Sequence, residues 1–210
     1  MNPKIRELFE DKNIIAKIQN KLPKLFQLAE LESARAGKIG MEVGQVREKI
    51  IVALFIYKFG ERNVQTEIPI TKAETDVIVY NNPISIKTIT GRNFGEVKLI
   101  WTVDKVKAKE FLDDYGPSCD VMLVQINWNN GGGFYYVPRE VQMEIFKKLG
   151  RTKYIKLPVE GTNPRGVEIS AEGLVNLIEH KETFKIPINW RKENIAFKPF
   201  QRWLDLWQND

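Results

Sequence analysis

Residues 75–88 read T-D-V-I-V-Y-N-N-P-I-S-I-K-T. β-Branched and aromatic residues flank an Asn-Asn pair, the pattern of two strands joined by a tight turn, because Asn tolerates the positive φ that a two-residue hairpin loop demands. Each strand carries a single charge, Asp76 in the first and Lys87 in the second. With Asn81-Asn82 as the loop, Tyr80 pairs with Pro83 and each step inward keeps the sum of paired positions constant. Asp76 then stands directly opposite Lys87, and Ile78 opposite Ser85, all on one side of the hairpin. A cross-strand ion pair on a solvated sheet contributes only ~0.2–1 kcal/mol. Here Val77, Val79, Ile84, Ile86 and Ile89 mark the strands as central. A charge pair on a largely buried hairpin is costly to desolvate, and such pairs concentrate at functional sites.

Upstream of the hairpin, apolar residues from Ile5 to Leu28 recur mostly at intervals of three and four, which predicts helix over residues 3–35 with Pro23 as a boundary or kink. Residues 36–44 form a Gly-punctuated loop, and Val46, Ile50, Ile51, Leu54, Phe55 and Tyr57 make a second helical stripe ending at Gly60. From residue 64 the period becomes two, with strands expected at 64–69, 75–80, 84–90, 96–103, 119–128 and 134–137, and helices at 104–115 and 138–149. The run Gly131-Gly132-Gly133 after Asn129-Asn130 reads as a hairpin turn, with no helix behind it to bind a phosphate. The pattern describes an α/β (α+β) fold with a mixed, mostly antiparallel central sheet flanked by helices. One domain is expected over residues 1–210: N-terminal helices at about 3–35, a core at about 40–128 and a helix and loop region at about 138–210.

Composition narrows the function classes. The chain has 210 residues, 43% of them hydrophobic, enough to bury a full core. The net charge of +5, from 32 basic and 27 acidic residues, suits a polyanionic partner without requiring one. No apolar run approaches the ~18 residues of a membrane span, and M-N-P-K-I-R-E-L-F-E has no apolar signal region. The single Cys119 cannot form an internal disulfide, so a cytoplasmic protein without membrane contact is expected. Lone Cys119 and lone His180 rule out a Cys/His zinc cluster, and His180 in L-I-E-H-K reads as a helix-end surface residue. No nucleotide-binding fingerprint occurs, so no organic cofactor is expected.

The Asp76 hairpin resembles the active-site hairpin of the PD-(D/E)xK nuclease superfamily, in particular type II restriction endonucleases. There an acidic residue begins one strand and a (D/E)-x-K triplet lies on the next. The matching residues here are Asp76 and Ser85-Ile86-Lys87, with Ser85 standing where a second carboxylate is expected. Phosphodiester hydrolysis needs an activated water and stabilised phosphoryl charge, both of which Mg²⁺ supplies when oxygen ligands hold it. One Asp is a thin site for a divalent ion, so a second carboxylate is required. Glu48, in G-Q-V-R-E-K-I-I on the helix before the sheet, is one donor, with Glu42 the weaker substitute. Glu96 is the other, since Glu96-Val97-Lys98 makes a full Glu-x-Lys triplet. If residues 91–95 are a hairpin loop and Thr90 pairs with Glu96, Lys98 falls on the face away from Lys87 and Asp76; a one-residue slip reverses this. Glu96 and Lys98 therefore stand as the alternate pair.

The resemblance implies a Mg²⁺-dependent, sequence-specific double-stranded DNA endonuclease of restriction-endonuclease-like fold. In it Asp76 and Glu48 ligate the ion, Ile86 adds its carbonyl, Ser85 holds a metal-bound water, and Lys87 orients or helps deprotonate the attacking water. It also implies a homodimer whose two-fold axis matches that of the target. DNA contacts are expected from Arg92 and Asn93 after the second strand, from Lys105 and Lys109 on one helical face, and from Asn163 and Arg165 in T-N-P-R-G. The aromatic tail Phe197, Phe200, Trp203, Leu206 and Trp207 has helical spacing and reads as packing on the core or a partner subunit. Two other readings share some of these features: a repair nuclease or junction resolvase, and a non-catalytic DNA-binding regulator. The last predicts binding without cleavage.

Overall fold

A computed structural model describes residues 3–35, 38–40, 42–69, 74–102, 104–158 and 166–208. Helices α1 (Pro3–Glu10) and α2 (Lys12–Glu32) lead through a ribbon of β1 (Ala34–Arg35) and β2 (Lys38–Ile39) into α3 (Val43–Phe59). The expected break at Pro23 lies instead at Asp11, whose side chain accepts hydrogen bonds from Asn13 N and Ile14 N and so caps α2. Pro23 sits inside α2, buried beside Leu22 and Phe26. Strands β3 (Val64–Gln65), β4 (Val77–Val79) and β5 (Asn82–Thr90) follow, then β6 (Val97–Ile100), α4 (Lys105–Asp114), β7 (Asp120–Ile126) and β8 (Gly131–Val137). The remaining elements are α5 (Arg139–Leu149), α6 (Arg151–Tyr154), β9 (Ile155–Lys156), β10 (Val167–Ile169), α7 (Ala171–Glu179), β11 (Phe184–Asn189) and α8 (Gln201–Gln208). None of the described helices is long and apolar enough to cross a membrane.

The central sheet runs β11-β8-β7-β5-β4-β3. Every pairing is antiparallel except β5 with β7. Ile84, Ile86, Met122, Val124, Phe134 and Tyr136 face α1, α2 and α3, while Val121, Leu123, Tyr135 and Val137 face a second core with residues of α5 and α7. Residues 120–126 of β7 are buried throughout, as a strand covered on both faces requires.

Three registers differ from the sequence reading. The hairpin turns on Tyr80-Asn81, both at positive φ (48° and 61°), and pairs Val79 with Asn82, Ile78 with Pro83 and Val77 with Ile84. A bulky residue at positive φ is uncommon. Tyr80 is held there by its N–H donating to Asn63 O (2.9 Å) and its ring meeting Phe59 edge-on at 5.5 Å. The slip sets Asp76 level with Ser85 and Ile86, not directly opposite Lys87. Because the slip amounts to two positions, no side chain changes face. Second, β6 does not pair with β5: the edge of β5 is taken by buried β7, and β6 joins β10 and β9 in a separate three-stranded sheet. Third, Gly131–Gly133 lie within β8, where a Cβ at Gly132 would strike the buried Trp190 indole and the Gln125 carbonyl. The tail also departs from one expectation, since α8 leaves every described residue exposed and does not pack on the core.

Candidate active site

Asp76 lies at the entrance to β4, and its Oδ2 gathers three contacts from β5. Ile86 N donates to it at 2.6 Å, the Ser85 hydroxyl donates at 3.2 Å, and Lys87 Nζ stands at 3.5 Å. Ser85 is itself buried, so its hydroxyl acts as a fixed donor orienting the carboxylate. Both partners of the Asp76–Lys87 pair keep 20% side-chain exposure, enough to meet a ligand from solution.

Glu48 comes to this group from the second turn of α3. Burial raises its carboxyl pKa above the ordinary value, the nearby Asp76 charge raises it further, and Lys87 offsets part of the rise. Glu48 therefore lies within electrostatic reach of both hairpin charges. Two carboxylates that repel one another beside an ammonium suit a divalent cation. Among the described residues, no three His, Cys, Asp or Glu side chains converge as a metal cage. This donor set fits Mg²⁺, which keeps several waters and uses one or two carboxylates, better than a closed structural zinc site. Glu48, Asp76 and the Ile86 carbonyl are the oxygens that would hold it. Glu42, at the N-terminal edge of α3, is exposed.

The alternate pair lies elsewhere. Glu96 is engaged by Lys156 at 2.6 Å, which holds its pKa below the ordinary value, and Lys98 Nζ sits 4.2 Å over the Trp101 ring in the second sheet. Neither is among the contacts of Asp76 or Lys87.

Two features escaped the sequence reading. Glu74, two residues before Asp76, is half-buried and accepts hydrogen bonds from the Ser118 hydroxyl and from Tyr115. Its burial raises its pKa, which those bonds and Lys87 partly offset. It lines a cavity of about 10 Å³ with Ser85, Lys87, Tyr115, Ser118 and Cys119, close to the smallest that holds one water. Burial there pushes the Cys119 thiol up to about 12. The second feature is a buried ion pair behind Glu48: Arg47 Nη2 meets Glu30 Oε1 at 2.7 Å, and Arg47 Nη1 donates to Thr90 Oγ1 at 3.3 Å. Glu30 also accepts from Trp128 Nε1 (2.8 Å) and pairs with Lys192 (3.4 Å). This pair ties α3 to α2 and to the end of β5, and so fixes the helix that carries Glu48. Its signal in the sequence is Glu30, which continues the buried stripe of Leu22 and Phe26 at four-residue steps.

The expected DNA-contacting residues are placed as follows. Arg92 and Asn93 are exposed in the loop after β5, whose backbone Gln125 Nε2 holds through Gly91 O (3.3 Å) and Arg92 O (2.9 Å). Lys105 and Lys109 are exposed on α4. Asn163 and Arg165 lie outside the described residues.

A mixed sheet that gathers an Asp, a Glu and a Lys from a hairpin and the helix before it defines a nuclease of the type II restriction endonuclease class. A family model described as "Restriction endonuclease ThaI" matches residues 8–209, and the chain belongs to that family. A solved structure described as "Restriction endonuclease in complex with substrate DNA" is 56% identical, covers 98% of this chain and 99% of its own, and superposes with a TM-score of 0.92. No curated protein matches. The chain is accordingly a site-specific deoxyribonuclease.

Proposed function

We propose that the chain hydrolyses phosphodiester bonds of double-stranded DNA at a short two-fold-symmetric target, as a homodimer and with Mg²⁺. The observation that carries this reading is the Asp76–Lys87 pair at 3.5 Å, with Glu48 of α3 within electrostatic reach of both. The related endonuclease solved with substrate DNA supports DNA as the partner. Bound Mg²⁺ would supply Lewis-acid polarisation of the phosphoryl oxygen and a more acidic water. Asp76 and Glu48 would hold that ion, with the Ile86 carbonyl as a further oxygen. Ser85 and Ile86 N orient Asp76 at its Oδ2. Lys87 directs its ammonium at the attacking water and the charge that develops on phosphorus oxygens. Arg92 and Asn93 read or anchor the DNA from a loop pinned by Gln125, and Lys105 and Lys109 meet phosphates. Asn163 and Arg165 remain candidates of the same kind.

The test is single-turnover cleavage at saturating enzyme, with DNA binding measured separately in Ca²⁺. Asp76→Asn removes an anionic ligand at nearly constant volume and should slow cleavage by at least ~100-fold with binding largely retained. Lys87→Ala should likewise abolish turnover. Near-normal cleavage by either variant would sink the assignment.

A further inference from the structure

We infer that α8 is an exchanged arm, docking on the groove between α2 and α3 of a second copy of the chain. This inference rests on the homodimer proposed above and names the surfaces that would build it. The segment leaves the body beside α2, where Glu193 N and O exchange hydrogen bonds with the Gln27 side chain at 2.8 and 2.7 Å. Beyond it, Phe200, Trp203 and Trp207 are 71%, 55% and 88% exposed, with Leu204 and Leu206 beside them. The three rings alone leave on the order of 400 Å² of apolar surface in water. That equals the largest patch of a typical monomer before the leucines are added.

The same chain carries a matching surface. An apolar groove of about 360 Å³ runs between α2 and α3, lined by Ile18, Leu22, Leu25, Ile50, Leu54 and Tyr57. Leu25 and Tyr57 are 40% and 60% exposed, so the groove is uncovered in the single chain. Its rim includes Lys17 and Lys21, and α8 carries one acidic residue, Asp205, and one basic residue, Arg202, beside its apolar side chains. An amphipathic helix laid in an apolar groove is a recurring recognition mode. Area also favours a second copy as the occupant. In a two-fold arrangement each chain gives one arm and receives one, and arm plus groove together approach the ~800 Å² per partner of a standard stable interface.

Sedimentation equilibrium of the full chain tests this. Wild type should sediment at twice the 24.4 kDa chain mass. Trp203→Ser/Trp207→Ser (arm) and Ala53→Arg (groove) should each weaken dimerisation at least ~100-fold. All three positions are exposed in the single chain, so both variants should keep wild-type circular dichroism and Tm. An equimolar mixture of the two should dimerise more tightly than either alone, because one arm–groove contact is intact in the mixed pair. A monomeric wild type would overturn the homodimer and the arm together. A wild-type dimer unmoved by the arm variant would overturn the arm alone. Dissociation by the arm variant without recovery in the mixture would overturn the groove as its seat.

Discussion

Replacing Glu30 by leucine strips a buried guanidinium of its charge partner. Arg47 is 6% exposed at its side chain and meets Glu30 at 2.7 Å; its Nε has no hydrogen-bond partner, and its remaining contacts, to the Thr90 hydroxyl and the Phe26 ring, are neutral. Removing one member of such a pair costs about 3–5 kcal/mol, a large share of a typical ~5–15 kcal/mol domain stability. The reverse change, Arg47→Met, should cost less, about 1–3 kcal/mol, because Glu30 keeps Lys192 at 3.4 Å and the Trp128 donor at 2.8 Å. The double variant should cost less than the sum of the two, since neither charge is then stranded. Urea denaturation followed by fluorescence, with slopes compared to confirm two-state behaviour, measures all three. A Glu30→Leu variant within ~1 kcal/mol of wild type, or an Arg47→Met variant that is the more damaging, would show that the guanidinium does not depend on Glu30.

Because burial and the Asp76 charge raise the Glu48 pKa, a proton competes with the ion at a higher pH than at an ordinary glutamate. The ionised form is the ligand, so half-saturating Mg²⁺ should rise as pH falls from about 7 to about 5 in wild type and rise less in Glu48→Gln. Cys119, buried with its thiol pushed up to about 12, should resist iodoacetamide in the native protein at mildly alkaline pH and label rapidly in urea. Rapid native labelling would show that the cavity beneath Lys87 opens. Lys105→Ala/Lys109→Ala should weaken DNA binding about equally for target and non-target sequences, and lower the salt slope by about 2. A loss confined to the target would make these lysines base readers.

The sequence showed the elements and the charges more clearly than the pairing between them. Alternation located β4, β5, β7 and β8, and the lone charges at Asp76 and Lys87 pointed to the site. Propensity placed the turn on Asn81-Asn82, but the Phe59 contact and the Asn63 carbonyl hold Tyr80 in the left-handed region. The error was harmless because a two-position slip leaves every side chain on its face. The pairing of β5 was less legible. A Gly-bounded loop at 91–95 suggests a hairpin, yet the edge goes to β7, thirty residues downstream at its start, because that strand, unlike β6, is buried on both faces. Glu74 and the Glu30–Arg47 pair stayed hidden because charged residues are usually exposed. For α8, helical spacing announced a buried face, yet every described residue of the helix is exposed in the single chain.

We propose that Glu48, not Glu96, completes the site with Asp76 and Lys87. Glutamine keeps the shape of either residue and removes its charge, and Glu96 already spends its carboxylate on Lys156 at 2.6 Å. Single-turnover cleavage of one DNA substrate by Glu48→Gln and Glu96→Gln, each at saturating enzyme, decides the question. Glu48→Gln should lose activity on the ~100-fold scale expected of Asp76→Asn, and Glu96→Gln should stay within about threefold of wild type. An inactive Glu96→Gln beside an active Glu48→Gln would remove Glu48 from the site and make Glu96-Val97-Lys98 the catalytic triplet.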